Sequence, residues 1–243
     1  MDLSIVIPVF NEADNIPLLF WELHGRLQDH LRYEVIFVDD ASTDDTAAVI
    51  ANLMEQCPHV RTVRHRRNGG QSAALLSGVR AASAAWVATM DGDGQNDPAD
   101  LQHFWQLKSE ANPPIDLIIG HRQARQDNVI RILSSRIANG VRSRLLGDGV
   151  PDTGCGIKLF RRACFLDLPY FDHMHRFLPA LIQRDGGRVM SVPVNHRPRV
   201  FGLSKYGMGN RLWVGIVDLL GVMWLLRRRR LTVPPESTPS NEY

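Results

Sequence analysis

A chain of 243 residues with 44% hydrophobic and 22% charged residues has the composition of a folded globular protein, which speaks against a disordered or fibrous one. Its formal net charge of +2 is too small to indicate nucleic acid as a partner, and its 3 cysteines, Cys57, Cys155 and Cys164, form no CxxC pair, so neither a disulfide framework nor a zinc site is suggested. A reducing compartment fits, and Met1-Asp2 leads into LSIVIPVF without a basic leader, so a cytosolic placement is expected.

Along the chain, short apolar or β-branched runs at 3–10, 33–38, 60–64, 86–90 and 116–119 alternate with segments of helical periodicity. NIPLLFWELHGRL, STDDTAAVIANLMEQ and QSAALLSGVRAAS read as helices, the second with Ser42 or Thr43 as N-cap and acids in its first turn. A fourth starts at Pro98, where the missing N–H costs nothing. Such alternation predicts βαβ units and an α/β fold whose mostly parallel sheet is covered on both faces. From about Asn128 the pattern changes to a basic helical stretch, NVIRILSSRIANGVRSRLLG, then DTGCGIKLF, a helix around HRFLPALIQRDG and a strand RVMSVPV. An apolar segment at 213–226 precedes the run Arg227 to Arg230 and a Pro/Ser-rich tail, 231–243, of disordered composition.

In an open parallel sheet, ligands bind beyond the carboxyl ends of the strands. That rule puts three acidic clusters on one rim: Glu12 after the first strand, Asp39 and Asp40 after the second, and Asp91 and Asp93 after the fourth. In ATMDGDGQNDP, Asp91 and Asp93 lie two apart and point to one side of extended chain. Two such carboxylates suit a hard divalent cation, Mg²⁺ or Mn²⁺, and Gln95 can add an amide oxygen. The competing reading is a solvated Asp/Gly turn; the position after a buried-strand pattern gives the metal reading its weight.

SIVIPVFNEADNI, EVIFVDDASTDDT, RNGGQSAALLSG, VATMDGDGQNDP, DTGCGIKLF and RPRVFGLSKYG, in this order, resemble the successive blocks of family 2 glycosyltransferases, in the branch similar to dolichyl- and polyprenyl-phosphate sugar transferases. The resemblance runs from about Leu3 to Gly207 and implies a GT-A fold, a nucleotide-diphosphate sugar donor, Mg²⁺ or Mn²⁺, and transfer with inversion onto a lipid phosphate. By their place in the matching blocks, Pro8, Val9 and Glu12 would line the nucleoside pocket, with Asp40 and Asp39 accepting hydrogen bonds from base or ribose; helix capping is the competing role for both aspartates. Asp91, Asp93 and Gln95 match the metal and diphosphate motif. Arg122, Arg131, Ser135, Arg199 and Lys205 match the cationic pocket for the acceptor phosphate, with Asp93, Arg122 and Arg131 nearest the chemistry. The implied organisation is a GT-A unit over 1–207, its donor half at 1–120 and acceptor half at 121–207, followed by an apolar C-terminal helix over 208–230.

A lipid phosphate is already ionised near neutral pH and needs no general base. Arg142 and Arg144 read as a solvated basic helix face, and His175 and Cys155 as structural. The apolar segment at 213–226 falls in the length class too short to span a bilayer. Trp213, Trp224 and the arginines suit a membrane surface, so peripheral attachment on the cytoplasmic face, or a separate membrane protein partner, is expected. Relatives of that branch with two or more spanning helices differ from this sequence. Two further readings stay open: transfer to a carbohydrate hydroxyl, with Asp152 as base, and a non-catalytic nucleotide-sugar-binding protein. An NAD-type Rossmann enzyme is disfavoured, because PVFNEADN stands where GxGxxG would follow the first strand.

Overall fold

The computed structural model describes residues 1–122, 139–199, 201 and 211–228. Strands β1 (Leu3–Val9), β2 (Tyr33–Asp39), β3 (Val60–Arg64), β4 (Trp86–Thr89), β5 (Leu117–Arg122), β6 (Lys158–Arg161) and β7 (Val189–Val194) form one sheet in the order β3-β2-β1-β4-β6-β5-β7. Among the described residues the helices include α1 (Asn15–Leu27), α2 (Thr46–Gln56), α3 (Gly70–Ala81), α4 (Pro98–Glu110), α5 (Arg162–Leu166), α6 (Leu178–Arg184) and α7 (Arg211–Leu226), and residues 139–146 are helical as well. All pairings are parallel except those of β6, which runs against both β4 and β5. The α/β fold with a mostly parallel sheet is therefore the one expected, with β6 as an unforeseen antiparallel insertion.

The central strands are apolar on both faces because each feeds two cores. Leu3, Ile5, Ile7 and Val9 of β1, with Val35 and Phe37 of β2, meet Leu19, Phe20 and Leu23 of α1 and Leu101 and Phe104 of α4. Val6, Ile36 and Val38 turn the other way onto Ala74, Leu75 and Val79 of α3, beside Leu178, Leu181 and Val222. Cutting back a fully buried ring such as Phe20 or Phe37 to alanine would cost about 3–5 kcal/mol.

Two local expectations are corrected. Helix α2 begins at Thr46, not at Ser42, because Ser42 Oγ accepts the Asn11 N–H at 2.9 Å and the Thr43 N–H donates to Asn11 Oδ1 at 2.8 Å. Those residues tie the loop after β2 to the loop after β1 instead of winding into helix. Arg142 is not solvated: it is buried, 2.7 Å from Asp148 Oδ2, and donates to the Val150 carbonyl.

At the N-terminal ends of β1 and β2, Glu34 is buried and accepts from Ser4 Oγ (2.6 Å), the Ser83 N–H (2.7 Å), Ser83 Oγ (2.6 Å) and Arg61 Nη1 (2.7 Å). Burial alone would raise its proton affinity, but these donors outweigh it and hold the carboxyl at about 2, below the ordinary 4.5. The ionised form therefore stabilises the fold above about pH 4.5, and that contribution is lost as the pH falls toward 2. Glu34→Gln should lower stability at pH 7 by about 2 kcal/mol and flatten the stability profile across that acid window, as read by urea unfolding at several pH values.

Candidate active site

Because β6 is reversed, the C-terminal ends of the other strands and the N-terminal end of β6 share one rim. The strand order turns back between β1 and β4, the place where open α/β sheets bind ligands. A cleft of about 650 Å³ opens there, lined by Pro8, Val9 and Glu12 from β1 and its loop, Asp40, then Asp91, Asp93 and Gln95 beyond β4, Arg122 at the end of β5, and Arg199. Asn68, Gly70 and Gln71, at the start of α3, form another wall.

Asp40 lines the cleft and also caps α3. Its Oδ1 accepts the Gly69 N–H and its Oδ2 the Gly70 N–H, each at 2.8 Å, while His65 Nδ1 lies 2.6 Å from Oδ1. Gly70 has φ +81°, a left-handed value that favours glycine. Asp39, expected with Asp40 on the donor, is not among the residues that line the cleft. It is buried, Oδ1 accepts the Ser42 N–H at 2.8 Å, and Arg64 Nε lies 3.1 Å from Oδ2, so Asp39 holds the turn after β2. Two non-glycine residues at these strand ends, Asn11 (φ 52°) and Ala41 (φ 65°), adopt left-handed backbone, a strain of about 1–3 kcal/mol each that such loops carry where a ligand-facing shape requires it.

Asp91 is half-buried against backbone. Its N–H donates to Asn96 Oδ1 at 2.8 Å, its Oδ1 accepts from Gln71 Nε2 at 2.9 Å, and a Cβ on Gly156 would fall 2.1 Å from its Oδ2. Burial, then the neighbouring charge of Asp93, push its proton affinity up, opposed by Lys158, Arg122 and the Gln71 amide. Asp93 Oδ1 accepts the Gln95 N–H at 3.1 Å, and Arg199 Nη2 lies 2.6 Å from its Oδ2. The segment after β7 lies over this loop: the Arg197 N–H donates to the Gln95 carbonyl at 3.0 Å, Gln95 Nε2 donates to the Arg197 carbonyl at 3.2 Å, and the Arg197 guanidinium reaches Glu22 (2.7 Å) and Asp97 (2.8 Å). Asp97 also caps α4, accepting the Ala99 N–H at 2.9 Å.

Arg122 forms a two-pronged pair with Asp152, Nε to Oδ2 at 2.7 Å and Nη2 to Oδ1 at 2.9 Å. Asp152, the base expected for a hydroxyl acceptor, is thereby engaged by a guanidinium and is absent from the cleft lining. Arg131, Ser135 and Lys205 lie outside the described residues. Sequence reasoning missed Gln71 and Lys158. Gln71 was visible only as a polar residue opening α3, and nothing local shows that it reaches Asp91. Cys155 and His175 are buried, as expected of structural residues; burial raises the Cys155 thiol to about 11, and His175 Nδ1 lies 2.7 Å from Ser72 Oγ.

The residues present fit a hard divalent cation. Asp91 and Asp93 offer only oxygen, and a cation beside them would offset the charge that Asp91 carries in its half-buried position. Among the described residues no group of three or more His, Cys, Asp or Glu could by itself hold a metal. Two carboxylates leave most of a six-oxygen shell to substrate phosphates and water, the usual arrangement for Mg²⁺.

An open sheet of this order, with an acidic rim at its reversal point, is the plan of a GT-A glycosyltransferase. The chain belongs to glycosyl transferase family 2, whose model matches residues 4–168. It is 34% identical over 232 residues to a dodecaprenyl-phosphate galacturonate synthase of Rhizobium johnstonii, covering 93% of this chain and 68% of that one. To an undecaprenyl-phosphate 4-deoxy-4-formamido-L-arabinose transferase of Klebsiella pneumoniae it is 32% identical over 205 residues, 84% of this chain and 62% of the relative. The chain thus spans roughly two thirds of the length of these curated relatives, just under that share for the second. Among solved structures, mannosyl-3-phosphoglycerate synthase from Rubrobacter xylanophilus superposes with a TM-score of 0.73 at 16% identity, over 97% of this chain and 78% of that one. Glucosyl-3-phosphoglycerate synthase from Mycobacterium tuberculosis, crystallised with Mn²⁺, UDP-glucose and phosphoglyceric acid, gives 0.61 at 20% identity, over 82% and 72%. Both show the shared fold.

The Gly156 contact leads to a sharp expectation. In Gly156→Ala the new methyl would overlap the Asp91 carboxylate, so affinity for Mn²⁺ with UDP or GDP should fall at least about tenfold by calorimetry, with the circular dichroism spectrum unchanged.

Proposed function

We propose that this glycosyltransferase moves a sugar from a nucleotide-diphosphate donor to a polyprenyl phosphate, with inversion and with a divalent cation, Mg²⁺ or Mn²⁺, at Asp91 and Asp93. The observation that carries the acceptor class is the Arg122–Asp152 pair: the carboxylate that a hydroxyl acceptor would need as base is held by a guanidinium, whereas a phosphate acceptor arrives ionised and needs none. The names of the relatives, a dodecaprenyl-phosphate synthase and an undecaprenyl-phosphate transferase, support the same class.

Pro8, Val9, Glu12 and Asp40 bind the nucleoside, and the left-handed loops at Asn11 and Ala41 shape that wall. Asp91, Asp93 and Gln95 hold the cation, which when bound supplies Lewis-acid stabilisation of the departing diphosphate. Arg122 and Arg199, with Arg131, Ser135 and Lys205, fix the acceptor phosphate, so that its oxygen attacks the anomeric carbon in line as the bond to the diphosphate breaks. Incubation with a panel of UDP- and GDP-sugars, Mn²⁺ or Mg²⁺ and polyprenyl phosphate in detergent should yield a glycosylated lipid phosphate detectable by mass. The product should vanish with EDTA and drop at least about a hundredfold in Asp93→Asn. Tight nucleotide binding without any lipid product would reassign the acceptor to a hydroxyl.

Helix α7 is the membrane-facing element of this reading, at the cytoplasmic face, whether it meets lipid directly or through a membrane protein. One side packs through Val222, Leu219 and Leu225, and Asp218 Oδ2 lies 3.0 Å from His173 Nδ1. Trp213, Val217, Leu220 and Trp224, at helical spacing, are more than half exposed along the other side. Exposed Arg227 and Arg228 follow, as suits anionic lipid. Among the described residues no helix is long and apolar enough to cross a membrane. Trp213→Ser with Trp224→Ser should weaken sedimentation with phosphatidylglycerol vesicles about tenfold or more and leave turnover of a short, water-soluble prenyl phosphate unchanged; undiminished vesicle binding would remove α7 from the role.

A further inference from the structure

Behind Asp91 lies a buried polar layer that the proposed chemistry does not use. Lys158, the first residue of β6, is only 4% exposed, and its Nζ donates to the Cys155 carbonyl. A buried ammonium is costly unless opposing charge and acceptors compensate it, and a methionine of similar length would fill the space without that cost. The cations nearby have partners of their own: Arg122 sits on Asp152 at 2.7 Å and Arg199 on Asp93 at 2.6 Å. Lys158 and Asp91 attract one another electrostatically, and both touch the same turn, Lys158 at the Cys155 carbonyl and Asp91 at Gly156.

That turn, residues 153–156, is held at three points. The Gly154 N–H donates to Asp152 Oδ1 at 3.2 Å, the Cys155 carbonyl accepts from Lys158, and the Gly156 carbonyl accepts from Thr89 Oγ1 at 2.8 Å. Its bare Gly156 face is the surface on which the Asp91 carboxylate rests. We infer that Lys158 is a positioning residue for Asp91: its buried ammonium fixes the Cys155 carbonyl and so sets the glycine face that orients the carboxylate toward the cleft. The inference rests on the reading of Asp91 as a ligand of the divalent cation. Groups that orient a metal ligand from behind typically govern affinity by about 10–100-fold.

Lys158→Met keeps the length of the side chain and removes its charge and its donor. A merely structural lysine would show itself as a fall in the thermal midpoint with normal Mn²⁺ affinity in the folded protein, and that result overturns the inference. The expected result is a thermal midpoint close to wild type, faster amide hydrogen exchange over 153–157, and a Kd for Mn²⁺, titrated calorimetrically with UDP and with GDP, raised about 10–100-fold. Unchanged exchange in the turn overturns it as well. Should Lys158→Met not fold, Thr89→Val, which removes the donor to the Gly156 carbonyl, loosens the same turn from β4. It should raise the Mn²⁺ Kd about tenfold, and an unaltered Kd counts against the inference. Failure of the metal reading has a different signature: wild type and Asp93→Asn would bind nucleotide equally with and without Mn²⁺. Exchange over 153–157 in Lys158→Met would then still decide whether Lys158 sets the turn.

Discussion

Asp91 sits with its carboxylate pressed on the backbone of Gly156, and much of the site follows from how the chain makes that contact possible. Strand β4 ends at the rim and delivers Asp91 there. Strand β6 begins at the same rim because it runs the opposite way, so the loop before it, not the loop after it, meets the acidic turn. A side chain on residue 156 would separate the two. The half-buried carboxylate accepts from Gln71 of α3, and the positive charges of Lys158 on β6 and, beyond its own pair with Asp152, Arg122 on β5 favour its ionised form. A parallel strand in place of β6 would have sent that loop to the far side of the sheet.

The same economy governs the loops after β1 and β2. Asn11 and Ala41 hold left-handed backbone at some cost, and the bonds from Asn11 to Ser42 and Thr43, with the Glu12 N–H donating to Thr46 Oγ1 at 2.9 Å, offset it. The two loops therefore form one rigid wall of the cleft. Rigidity there suits the proposed transfer to a phosphate, whose catalysis would consist of alignment and charge stabilisation more than of proton transfer.

Much of this was legible in the sequence where a signal is local. Continuous apolar runs announced β1 and β2, since strands buried on both faces lose the alternation of a half-buried one, and the periodic spacing of Ile16, Leu19, Phe20 and Leu23 marked α1. What escaped depends on partners distant along the chain. Strand β6 is four residues long and begins with a lysine, which reads as surface until the fold surrounds it. Asp39 and Asp40 are chemically identical neighbours, yet successive side chains at a strand end point opposite ways, so one faces the turn and the other the cleft. Arg142 has the look of a solvated helix residue; it is buried because the chain bends back at Gly147 (φ +69°) and Gly149 (φ +65°) and brings Asp148 beneath it.

Helix α7 poses a length problem that its packing answers. Sixteen residues make about 24 Å of helix, short of the roughly 30 Å of bilayer hydrocarbon. A helix inserted end-on would also have to bury Asp218, whose carboxylate pairs with His173 on the body of the protein. On the proposed membrane-surface reading, lying flat would remove both difficulties. The Asp218–His173 pair would stay on the protein side, the tryptophan-bearing stripe faces outward, and the arginines at the C-terminal end would sit where anionic headgroups and the helix dipole both favour cations. A polyprenyl phosphate keeps its phosphate at that same interfacial depth. With the proposed acceptor, an enzyme resting on the surface would meet the reacting oxygen without drawing the hydrocarbon tail into its core, which accords with a cleft walled mainly by carboxylates, amides and guanidinium groups.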